Sequence, residues 1–155
     1  MSGNEPAATS AEAVPATPCV FCAIVRGETR AHEVYRDDDL VAFLDTKPLF
    51  HGHVLLIPTQ HIRTYDQLPA SLAPKWLHVS QGLQRAVESA MGSQGSLLIV
   101  NNIVSQTVPH LHLHVIPRTK GDGLRFWLGP RHPYADEAEA DAVAARIASA
   151  FAGLG

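Results

Sequence analysis

The segment Val108-Pro109-His110-Leu111-His112-Leu113-His114-Val115-Ile116-Pro117 alternates histidine with an aliphatic residue from position 110 to 115. Only an extended strand turns a period of two into two faces. His110, His112 and His114 therefore share one face, and Leu111, Leu113 and Val115 share the other. The aliphatic face supplies burial, and the imidazoles, about 7 Å apart along the backbone, line a surface or a cleft. Nine histidines in 155 residues make three at alternate positions a rare accident. The strand is expected over His110–Ile116, stopped by Pro117.

Working outward, Ser96–Asn102 reads as the preceding strand, joined to the histidine strand through the short loop Ile103–Pro109. Upstream, Val34–Arg36 and Leu40–Leu44 are β-rich runs flanking the acidic turn Asp37-Asp38-Asp39. His53–Ile57 follows as a strand ended by Pro58. Between these groups, Leu72, Trp76, Val79, Leu83 and Val87 recur at helical spacing over about Ala70–Met91. Gly92 closes that helix, and Pro74 suits its first turn. Gly121-Asp122-Gly123 reads as a turn. A second helix is expected over Asp136–Phe151, with Val143, Ile147 and Phe151 in one stripe and acidic residues in its first turn. Strand pairs, a helix, then more strands on short loops predict an α+β domain with a mainly antiparallel sheet and two helices.

Composition narrows the function. With 46% hydrophobic and 17% charged residues, the chain suits one globular domain. The longest apolar runs are too short to span a bilayer, so no membrane role is expected. A net charge of −3 speaks against a general grip on nucleic acid. Residues 1–18 carry three prolines, many small residues and no Lys or Arg, and read as a disordered tail. They fit neither a secretory signal nor a transit peptide, and a cytoplasmic location is expected. In that compartment a structural disulfide between Cys19 and Cys22 is not expected.

Three readings of the histidine face stand open: a solvated row, a metal site, or nucleophilic chemistry. Neutral imidazole attacks without a separate base near pH 7, and a neighbouring imidazolium could hold the oxygens of a phosphoryl group. For Cys19-x-x-Cys22 the readings are free thiols, a redox dithiol, or half of a four-ligand zinc site.

His-Leu-His-Leu-His-Val-Ile, preceded by Gln106-Thr107, resembles the signature of the histidine triad (HIT) superfamily. The similarity extends to Cys19-Val-Phe-Cys22-Ala-Ile24, to Phe43-Leu44-Asp45, to Gly52-His53 through Pro58-Thr-Gln-His61, and to Gly121-Asp122-Gly123 with Trp127. It looks nearest to the bacterial Hint-like branch. The resemblance implies a HIT-like α+β domain over 19–155 with a C-terminal helical extension, and a homodimer whose two sheets join into one. It implies a purine nucleotide hydrolase or transferase working through a nucleotidyl-histidine. Dinucleoside polyphosphate hydrolases or phosphorylases, and a non-catalytic nucleotide- or zinc-binding module, are the alternatives.

By the same resemblance, His112 would be the nucleophile, His114 would bind phosphate oxygens, and His110 would complete the triad. Phe21, Ile24, Phe43 and Leu44 would line the base slot, and Asp45 would accept from the ribose hydroxyls. Asn101, or its neighbour Asn102, with Gln106 and Thr107, would lie at the phosphate or leaving group. Compared with relatives, the loop Asn102-Ile103-Val104-Ser105 is contracted, with serine where glycine is common. A structural Zn2+ would take Cys19, Cys22, His61 and His110, with His53 as the alternative to His61, although the more usual place of His53 is near the phosphate pocket. Trp127 would reach a partner's site or pack locally; Arg118 and Arg125 are expected to be solvated.

Overall fold

The computed structural model describes residues 18–125 and 131–154. Trp127 and the tail before Pro18 lie outside the described residues. The chain divides into two compact units, the break falling between Asp122 and Gly123.

In the first unit a five-stranded antiparallel sheet is built from β1 (Glu33–Arg36), β2 (Leu40–Leu44), β3 (Val54–Pro58), β4 (Gly95–Val100) and β5 (Leu113–Arg118). The spatial order is β1-β2-β3-β5-β4. The histidine segment thus lies inside the sheet, between β3 and β4. Helix α1 (Val20–Val25) covers one face and α2 (Ala73–Met91) the other.

The alternation of residues sorts the two faces. Leu40, Ala42, Val54, Leu56, Leu111, Leu113 and Val115 pack with Trp76, Val79, Leu83 and Val87 of α2. Val41, Phe43, Leu55 and Ile57 pack with Phe21 and Ile24 of α1. His110, His112 and His114 alternate with the first set, so they belong to the α1 face, as the period of two predicts. Helix α2 has Pro74 in its first turn and ends at Gly92 with φ 62°, the left-handed cap that glycine adopts without strain.

Three elements differ from expectation. The histidine strand begins at Leu113 instead of His110, because its other neighbour runs out: β4 ends at Val100, directly opposite Leu113. Residues 110–112 find other partners, Leu111 N–H donating to the Ile62 carbonyl at 2.6 Å. Pro117 lies within β5, opposite Ser96, instead of ending it. There are three α-helices among the described residues, not two; α1 spans six residues, too few for a helical period to stand out.

Gly52 matters to the site that follows. Its φ of 89° lies in the left-handed region that L side chains rarely adopt. Glycine is therefore required just before His53 enters β3.

The second unit holds α3 (Glu137–Ala152), with Asp136 as N-cap accepting from Glu139 N–H at 2.8 Å. Its apolar stripe is largely solvent-facing: Ile147 and Phe151 are exposed. Among the described residues, no helix is long and apolar enough to cross a membrane.

Candidate active site and metal cluster

Two donor clusters are built from the histidine segment, and each is organised by a backbone carbonyl or amide. Buried His110 donates from Nε2 to the Pro58 carbonyl at 2.9 Å, which leaves the Nδ1 lone pair free. That Nδ1 lies 3.6 Å from Cys19 Sγ and 3.6 Å from Cys22 Sγ. His61 Nδ1 is 3.1 Å from Cys22 Sγ, and all four donor atoms lie within 4.8 Å of one another. A tetrahedral zinc with its usual bond lengths has S···N edges of about 3.5 Å. The two cysteines and two histidines fit such an ion. Burial and the neighbouring Cys19 sulfur push the Cys22 thiol up, the opposite of what a bound cation would do.

His112 is arranged differently. Its Nδ1–H donates to the His110 carbonyl at 2.7 Å, so the Nε2 lone pair is the free one. The ring is 3% exposed and lies edge-on to Phe21, with centroids 5.3 Å apart. Phe21 in turn meets Phe43 edge-to-face at 5.5 Å. These rings belong to a slot of about 710 Å³ lined by Phe21, Ile24, Phe43, Leu44, Asp45, Thr107, His112 and His114, among others. Apolar walls with a few fixed polar groups are what a flat heterocycle with a polar tail requires.

His114 is tied to His53. Leu49 N–H donates to His53 Nδ1 at 3.2 Å, so neutral His53 carries its proton on Nε2. His53 Nε2–H then donates to His114 Nδ1 at 2.9 Å, and His114 carries its own proton on Nε2. Asp45 Oδ2 lies 3.7 Å from His53 Nε2, while Asp45 Oδ1 accepts from Lys47 N–H at 2.8 Å. Asp45, His53 and His114 place three donor atoms close enough for an ion. The protonated nitrogen between the two rings makes them a hydrogen-bond relay instead. Burial, then the nearby His112 and His53, hold His114 down at about 4. Burial likewise lowers His53, Asp45 opposing it. His114 is thus a neutral donor near pH 7 and not the imidazolium expected to face a phosphate.

The slot brings together eight of the expected residues and omits three, one of them His110, the expected third member of the triad, which lies in the metal cluster instead. Gln106 Nε2 donates to the Arg63 carbonyl at 2.7 Å, and neither Gln106 nor Asn101 lines the slot. Asn102 accepts from Tyr65 N–H at 2.9 Å, which commits it to the loop. Arg118 is held by Asp122 at 2.6 Å instead of standing solvated. Sequence reasoning missed Ala31, His32 and Lys47 as slot residues; it placed His53 near the phosphate pocket without its bond to His114. The pairing of Leu55 with His114 places His53 there, a register that local pattern does not disclose.

A family model for the HIT domain matches residues 26–121. The chain belongs to the HIT family. It is 40% identical over 108 residues to "Adenylylsulfatase HINT3" of Arabidopsis thaliana, an alignment covering 68% of this chain and 55% of that protein. The chain thus spans about half the length of that relative. A HIT-family crystal structure from Bacillus subtilis superposes with a TM-score of 0.75 at 30% identity, covering 86% of this chain and 96% of that one. A zinc-bound histidine triad protein from Mycobacterium smegmatis superposes with a TM-score of 0.65 at 35% identity, covering 85% and 96%. The HIT match ends before α3, so the C-terminal helix lies outside the matched segment.

Proposed function

We propose that this HIT protein cleaves a purine nucleoside 5′-phosphoryl compound through a nucleotidyl-histidine intermediate. The observation that carries the reading is the bond from His112 Nδ1–H to the His110 carbonyl, which turns a free Nε2 lone pair into a slot of nucleotide size. His112 Nε2 attacks the α-phosphorus, forming a P–N bond as the bond to the leaving group breaks. Water then attacks phosphorus, the P–N bond breaks, and the nucleoside monophosphate is released with His112 restored. His114 Nε2–H, positioned by His53, donates to a phosphoryl oxygen that gains charge in the transition state. Asp45 accepts from the ribose hydroxyls, and Phe21, Ile24, Phe43 and Leu44 enclose the base.

His110 stands apart from the reacting atoms. We assign it, with Cys19, Cys22 and His61, to a structural zinc. The metal would neutralise the two thiolates and fasten α1, hence Phe21, to the histidine segment.

His112→Asn should lower turnover of an adenosine phosphoramidate by about 1,000-fold or more while AMP still binds. Undiminished turnover would sink the assignment. We also infer a homodimer formed through β4. This edge strand, Gly95-Ser-Leu-Leu-Ile-Val100, has one side unpaired among the described residues and neither charge nor proline to protect it. Leu98→Lys should shift light-scattering mass from dimer to monomer; a wild-type monomer contradicts the inference.

A further inference from the structure

Beside the nucleotide slot lies a second cavity of about 910 Å³, lined by Arg26, Arg63, Thr107, Val108 and Pro109 together with Cys19, Cys22 and His61. The two cavities share Val20, Thr107 and Val108, so they meet at the loop that leads into the histidine segment. We propose that this second cavity receives the leaving group, and that Arg63 selects leaving groups carrying negative charge. The proposal rests on the nucleotidyl-transfer reading and adds a substrate class to it.

Displacement at phosphorus puts the leaving group roughly in line with, and opposite to, the attacking nitrogen. A slot filled by base, ribose and α-phosphate needs an outlet, and the second cavity, meeting the slot at Val20, Thr107 and Val108, offers the room. Its charge is distinctive. The nucleotide slot contains the carboxylate of Asp45, whereas no carboxylate lines the second cavity among the described residues. Arg26 is compensated, gripping Glu28 with two bonds of 2.7 Å. Arg63 makes no ion pair among the described residues, and its side chain is exposed to the cavity.

The backbone of Arg63 is fixed on both sides. Its N–H donates to Gln67 Oε1 at 3.0 Å, and its carbonyl accepts from Gln106 Nε2 at 2.7 Å. One residue earlier, the Ile62 carbonyl accepts from Leu111 N–H. The guanidinium therefore springs from a point braced against the loop before His112. As the P–O bond breaks, the leaving oxygen keeps the electron pair and its charge grows, which a nearby guanidinium favours. An amine leaving group must instead gain a proton, and the same guanidinium repels the ammonium.

The test uses the full-length zinc-loaded protein and its Arg63→Gln and Arg63→Lys variants. Three substrates are compared at low salt: adenosine 5′-phosphosulfate, diadenosine tetraphosphate and an adenosine alkylphosphoramidate. Arg63→Gln should lower the ratio of kcat/KM for the anionic leaving groups over the amine about tenfold, and Arg63→Lys should restore part of it. Turnover by the wild type with no change of that ratio in Arg63→Gln overturns this proposal alone. No turnover of any of the three overturns the nucleotidyl-transfer reading and this proposal with it.

Discussion

His110 and His114 stand four residues apart on one face of one chain segment, yet they serve opposite ends. His110 gives its Nε2 proton to the Pro58 carbonyl and turns a bare Nδ1 toward two sulfurs and His61. His114 receives at Nδ1 the proton of His53, whose own Nδ1 is occupied by Leu49 N–H. Both clusters contain two histidines and additional anionic donors. What separates them is a single backbone group: a carbonyl in one case, an amide N–H in the other. A carbonyl frees a lone pair for a cation, whereas an amide forces a proton into the gap between two rings.

The metal side of this comparison gives the largest expected effect. Helix α1 is too short to hold itself, and it buries mainly Phe21 and Ile24. Cys22→Ser, or removal of zinc by a chelator, should release α1 and open one wall of the slot. Losing the buried phenyl of Phe21 corresponds to roughly 2–3 kcal/mol, or about 100-fold in AMP affinity. Isothermal titration with AMP measures it, and unchanged affinity in metal-free protein would separate the two clusters functionally.

The relay side predicts a smaller loss with no loss of metal. His53→Leu removes the donor that fixes the His114 tautomer, and kcat should fall about 10- to 100-fold, as when other orienting partners are removed. Metal content by atomic absorption should stay at the wild-type level. His61→Ala should do the reverse, lowering metal content first. If His53→Leu sheds the metal while His61→Ala keeps it, the two histidines have exchanged places and the comparison collapses.

The comparison also marks what can be read without coordinates. Alternation over 110–115 foretold which residues face α2, because a strand has no other way to place them. Leu40–Leu44 and the span of α2 through Gly92 were legible for equally local reasons, a β-rich run beside an acidic turn and a left-handed cap. The start of β5 was not legible, because it depends on where β4 ends across the sheet. Nor was the tie between His53 and His114, which lie 61 positions apart. The contracted loop shows the intermediate case. Serine where relatives carry glycine marked position 105, and Ser105 has φ 62°; nothing marked Ile103, whose φ of 66° is strained for a β-branched residue.

The smallest effect is electrostatic, and in the relay a single substitution isolates it. His114 is held at about 4 and His53 is also lowered from 6.5, burial being the first cause for both. Between pH 6.5 and 4 the unfolded chain binds more protons at these sites than the folded one. Their contribution to stability is therefore complete above about pH 6.5 and is lost as pH falls toward 4. Partial solvent access screens the charge, so His114 should contribute about 1 kcal/mol across that window. Loss of metal in acid would add its own slope, but it acts through His110 and His61 and is common to wild type and His114→Gln. Urea denaturation of the pair at pH 7 and pH 5 isolates the relay: the stability lost on acidification should be smaller in His114→Gln. Equal losses would mean that the ring of His114 takes up its proton as freely in the fold as in the open chain, and the neutral donor assigned to it would have no basis.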